Sequence, residues 1–267
     1  MNTIEIDGIR LYYEVRGGGP PLVLVAGLAS DSQSWLPVVE PLARRFTVVA
    51  YDNRGVGRTT PPDAEIEISL LADDCVALID RLGYSKVHLL GHSMGGLIAQ
   101  DVAARHPDRI DRMILVGTGR RSTDEDDTLL SDMARSLEAG TDPETWFRDL
   151  FRWIFTTRFM QDEAAVAESI RLAVEYPYPQ TAEQFRRQVD AVARFAGVDP
   201  SRIAARTLVM TGEDDVLFPP EEGRSLAMRL PDAEFLLVPG AAHSVHMESP
   251  VPFVDAVVRF LSGHESE

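Results

Sequence analysis

The sequence contains one cysteine, Cys75, so no disulfide can form within the chain. Its setting, LLADDCVALI, is one face of an amphipathic helix and predicts a buried structural thiol. No apolar stretch reaches the roughly 18 residues of a membrane-spanning helix, so a membrane is not an expected partner. Positive charge is scarce: 26 Lys and Arg face 42 Asp and Glu, for a formal charge of -16. A surface of that sign repels phosphate backbones, and nucleic acid is not an expected partner either. The opening MNTIEIDGIRLYYEVRGGGP lacks the basic start and unbroken apolar run of a signal peptide, which predicts a cytoplasmic protein. Histidines and acids are not grouped at ligand spacing, so no metal is expected. Internal repeats and low-complexity tracts are absent too. What remains is an ordinary globular composition, 45% hydrophobic and 25% charged.

Short β-branched runs alternate with longer helical patterns: PLVLVAG (21–27), FTVVAYD (46–52), KVHLLGHS (86–93), RMILVGT (112–118), RTLVMTGEDD (206–215) and EFLLVPGAAH (234–243). This alternation predicts a parallel sheet with helices on both faces, and the continuous apolarity of each run predicts strands buried on both sides. The opening IEIDGIRLYYEVRG alternates instead and turns at Asp7-Gly8, as an antiparallel hairpin at the sheet edge would. Between 118 and 206 there is no strand-like run, only helical segments near 126–139, 143–156, 162–174 and 181–195. An inserted helical cap over 119–201 is expected, with the core formed by 1–118 and 202–267. Half of the twenty aromatics fall in that insert. Most should form its own small core, and Trp146, Phe151 and Trp153 are candidates to line a substrate pocket.

GHSMGG (91–96) lies between the strand KVHLL and the helical LIAQDVAARHP, the strand-turn-helix setting that a G-x-S-x-G nucleophile elbow requires. Glycines at 91 and 95 permit a sharp bend crowded by neighbouring chains, and Gly96 lets the next helix pack closely. Ser93 is thus the candidate nucleophile, and its hydroxyl needs a base. Of six histidines, His92 should point away at the elbow, His88 lies in a strand, His106 closes a helix and His264 sits in a polar tail. His243, just past the last strand, has the position of a base, with His246 as its alternative. Glu213, Asp214 and Asp215 could each orient that base. Asp215 is preferred and Asp214 second. Backbone amides of Leu28 and Met94 are the candidate oxyanion donors.

These residues resemble the α/β-hydrolase fold family, in its cap-bearing esterase, enol-lactonase and perhydrolase-like branch. The likeness runs almost end to end through GHSMGG, YDNRGVGRT (51–59), TGEDDVLFP (211–219) and GAAHSVHMESP (240–250). It implies a mostly parallel sheet with an antiparallel N-terminal hairpin, a triad of Ser93, Asp215 and His243, and packing roles for Glu248 and Pro250. Asp52 and Arg54 are expected to hold a turn. Two positions depart from the family's pattern: Ala26-Gly27 stands where His-Gly is common, and Thr59 where serine is usual. Serine at the elbow counts against haloalkane dehalogenase and epoxide hydrolase activity, which use aspartate there. The expected activity is hydrolysis of small carboxylic esters or lactones through an acyl-enzyme, without metal or organic cofactor. Carbon-carbon bond hydrolysis, cofactor-free perhydrolysis and slow-turnover ligand sensing are the alternatives that the same triad would serve.

Overall fold

The computed structural model describes residues 2–61 and 63–263; His264 lies outside them. The chain opens with β1 (Thr3–Ile6) and β2 (Ile9–Gly17), antiparallel partners in which Ile6 faces Ile9 across the two-residue turn. Asp7 and Gly8 both take positive φ there (37° and 80°), as the tight hairpin turn demands. Then follow β3 (Pro21–Val25), α1 (Leu36–Ala43), β4 (Thr47–Tyr51), α2 (Ile68–Arg81), β5 (Val87–His92), α3 (Met94–Arg105) and β6 (Ile110–Val116). Five helices come next: α4 (Asp124–Glu138), α5 (Pro143–Ile154), α6 (Thr157–Gln161), α7 (Glu163–Val174) and α8 (Ala182–Arg194). The chain closes with β7 (Arg206–Gly212), α9 (Pro220–Arg229), β8 (Ala233–Val238), α10 (Val245–Glu248) and α11 (Pro250–Leu261).

The eight strands form one sheet in the order β1-β2-β4-β3-β5-β6-β7-β8, with β1 and β2 antiparallel and the other six parallel. Successive side chains of a strand point to opposite faces. Val23, Val25, Leu89 and Leu115 therefore pack with α2 and α3, while Leu22, Leu24, Leu90 and Ile114 pack with α1 and α11. The central strands are sealed on both faces, which is why their sequences are apolar throughout. β8 departs from that expectation: most of its residues keep partial exposure, because it is the edge strand. Cys75 is fully buried on α2, and burial pushes its thiol up to about 12. Asp52 holds the turn after β4 by accepting from the amides of Ser32 and Arg58. Arg54 pairs through two hydrogen bonds (2.6 and 2.8 Å) with buried Asp74 of α2. No helix among the described residues is long and apolar enough to cross a membrane.

Candidate active site

At the end of β5 the chain turns through Ser93, whose φ of 55° and ψ of -121° are rare for a side-chain-bearing residue. The elbow leaves no room for other side chains. A Cβ on Gly91 would lie 2.2 Å from the Gly95 carbonyl oxygen, one on Gly95 2.1 Å from that of Val25, and one on Gly96 2.4 Å from Thr118 Cγ2. The strained turn aims the serine out of the sheet and starts α3 at once at Met94.

Two loops converge on this bend from the carboxyl ends of other strands. After β7, Asp215 turns inward and is 3% exposed, whereas Glu213 and Asp214 are exposed. The Asp215 carboxylate accepts from the amides of Leu217 (3.0 Å) and Phe218 (2.9 Å) and faces His243 Nδ1 at 3.0 and 3.3 Å. An ionised carboxylate only accepts, so Nδ1 carries the hydrogen and Nε2 of neutral His243 is an acceptor. The Phe218 ring stacks on the imidazole, with centroids 5.9 Å apart. Ser93 donates its amide to Val116, and a Cβ on the next residue, Gly117, would lie 3.1 Å from His243 Nδ1. Hydroxyl and imidazole thus share one neighbourhood. No hydrogen bond joins Ser93 Oγ to His243 among the described residues.

The loop after β3 carries Leu28. Among the described residues neither its amide nor that of Met94 donates to a protein acceptor, so two unpaired N–H groups flank the serine. Space at Gly27 is tight: a Cβ there would sit 3.1 Å from both His92 Nδ1 and Ser93 Cβ, so those neighbours would have to give way.

Two roles differ from those read in the sequence. His92 does not point away from the bend; its Nε2 lies 3.0 Å from the His243 carbonyl oxygen. A carbonyl only accepts, so Nε2 bears the hydrogen. Burial, with His246 and His243 nearby, holds His92 well below the ordinary histidine range and keeps it neutral. Glu248 is more than a packing residue: it accepts from the Ala242 amide and from the amide and hydroxyl of Thr156, the N-cap of α6. The bonds from His92 to His243 and from Thr156 to Glu248 join segments far apart in sequence, which a linear pattern does not report.

His246 lies in α10, 1% exposed, against Trp35 and His92. Burial lowers its pKa to about 3. His88 is packed under Phe46, and His106 ends α3. On amphipathic α5, Trp146 donates to the Met133 carbonyl within one apolar cluster, Phe151 belongs to a second, and Trp153 is 39% exposed on the outer face. Among the described residues no group of three or more His, Cys, Asp or Glu could hold a metal ion.

Residues 20–250 match the family model described as alpha/beta hydrolase fold. A protein of Caulobacter sp. (strain K31) bearing the name "Putative carbamate hydrolase RutD" is 32% identical, over 98% of this chain and 99% of its own length. The crystal structure of the enol-lactonase from Burkholderia xenovorans LB400 superimposes with a TM-score of 0.86 at 29% identity, covering 98% of this chain and all of that one. A thermophilic esterase from Thermogutta terrifontis gives 0.84 at 27% identity, covering 97% and 96%.

Proposed function

Because the chain belongs to the alpha/beta hydrolase fold family, we propose that it is a serine hydrolase of small carboxylic esters or lactones, acting through an acyl-enzyme on Ser93. The observation that carries this reading is the inward Asp215 held at 3.0 Å from His243 Nδ1, beside a serine forced to positive φ.

The chemistry follows from the proton inventory. His243 Nε2 takes the hydroxyl proton as Ser93 Oγ attacks the carbonyl carbon, and the Asp215 carboxylate stabilises the imidazolium that results. Charge develops on the former carbonyl oxygen, where the free amides of Leu28 and Met94 receive it. The imidazolium then protonates the departing alkoxide, and water repeats the sequence to release the acid. Serine-histidine hydrogen bonds of free enzymes are often long and tighten with substrate, so a free hydroxyl suits this scheme. The helices of 119–201 act as the cap over the core of 1–118 and 202–267.

The test is a panel of esters and lactones of graded acyl size, with an aryl carbamate added because of the 32% identical relative. Wild type is expected to turn over part of the panel, and Ser93→Ala to lose activity by roughly a millionfold. Equal hydrolysis by both proteins would remove Ser93 from the mechanism. Capture of a panel member without turnover would point to a sensor.

A further inference from the structure

The loop after β3 is fixed by a side chain from the inserted helices. Gln188 of α8 is completely buried, and its Oε1 accepts the Ala29 amide at 3.0 Å across 159 residues of sequence. Its orientation is determined by the partners on both ends of the amide. Oε1 also accepts from Gln180 Nε2 at 3.0 Å, while Nε2 donates to the Arg54 carbonyl at 3.3 Å. A turned-over amide would set N–H against N–H and oxygen against oxygen.

Ala29 is held at a φ of 59°, an uncommon conformation for alanine that persists only where surroundings enforce it. On the other side of the loop, buried Asn53 donates to the Ala26 carbonyl at 3.2 Å. Leu28 and Ala29 also pack against the inserted helices' cluster of Met133, Ala134, Trp146, Phe185 and Val189. Of the adjacent amides at 28 and 29, the second is consumed by Gln188 and the first is left open.

We propose that Gln188 is a positioning residue for the oxyanion loop: by taking the Ala29 amide it holds residue 29 at positive φ and leaves the Leu28 amide aimed at the developing oxyanion. The inference rests on Leu28 being an oxyanion donor, as read above. The hole is then complete only while the inserted helices are seated. One carboxamide couples the segment over the site to the stabilisation of the transition state.

Gln188→Met preserves length and removes both polar ends. On a short p-nitrophenyl ester it is expected to lower kcat about tenfold to a hundredfold, short of the loss from deleting an oxyanion donor outright, with KM within about threefold. An aryl trifluoromethyl ketone, which forms a tetrahedral adduct on serine, should lose affinity by a similar factor, while inhibition by the product alcohol should not move. A merely structural glutamine would not separate those two ligands. Gln180→Met removes one of the two donors to Gln188 Oε1 but keeps the Ala29 and Arg54 bonds, so it should lose clearly less kcat than Gln188→Met. If Gln188→Met does not fold, Gln188→Asn ends one methylene short of Ala29 and is expected to show the same paired losses. Undiminished kcat and ketone affinity in either folded variant overturns the role of Gln188 alone. A wild type without Ser93-dependent hydrolysis overturns the parent reading and this one with it.

Discussion

At the residue scale, the site is held by groups that do no chemistry of their own. Ser93 sits at a φ that costs on the order of 1–3 kcal/mol, and the surrounding contacts must supply that strain. His92 is one of those contacts. Its imidazole lies where a Cβ on Gly27 would come within 3.1 Å, and it donates to the His243 carbonyl, so it sits between the loop after β3 and the loop of His243. One such hydrogen bond contributes about 1 kcal/mol, roughly a fivefold effect. His92→Phe keeps the ring but loses the donor, and kcat on a short ester is expected to fall about fivefold to thirtyfold. Glutamine places a donor at a similar reach, so His92→Gln should recover most of that loss. If phenylalanine matches wild type in kcat, the bond to the His243 carbonyl has no part in positioning the base.

At the element scale, the crossing of α3 over β3 and β5 sets the strictest limits on sequence. A methyl on Gly95 would meet a main-chain carbonyl at 2.1 Å, and β3 cannot retreat without breaking its ladders to β4 and β5. Gly95→Ala is expected to destabilise by about 3 kcal/mol or more, a fall of roughly 6–12 °C in Tm by calorimetry. Gly96→Ala meets Thr118 Cγ2 at 2.4 Å and Cβ at 2.7 Å, which rotation of that side chain cannot clear, so it too should destabilise measurably. Melting temperatures matching wild type in both variants would show that close approach of the α3 backbone is not what reserves these positions for glycine.

At the scale of the whole molecule, two histidines are buried uncharged behind the site. His92 is held well below its ordinary pKa, and His246 is lowered to about 3. From pH 6.5 down toward 3, the unfolded chain therefore binds protons that the folded chain refuses, and stability falls as the solution is acidified. Each such histidine contributes a slope of up to about 1.4 kcal/mol per pH unit. Asp31, Asp74 and Asp126 act in the other direction: burial raises their pKa values, so their contribution is present below the unfolded pKa of 3.8 and lost as pH rises through the folded values. His246→Phe is expected to lose about one histidine's share of the acid slope, measured by urea unfolding at pH 7, 6 and 5. An unchanged slope would mean that His246 takes up a proton in the folded protein. The sequence alone determined the six parallel strands, the edge hairpin, the helical insert and the bend at Ser93, because each is a local pattern of apolar period and glycine placement. Among three adjacent carboxylates it preferred Asp215, and the structure shows that residue buried against His243 while Glu213 and Asp214 are exposed. The tertiary structure alone decided that His92 faces His243, that Glu248 joins the loop of His243 to the start of α6, and that Gln188 accepts the Ala29 amide. The physical reason is that such contacts pair polar groups up to 159 residues apart. Nothing in the local spacing of a glutamine records which distant amide it will meet once the sheet and the inserted helices have packed.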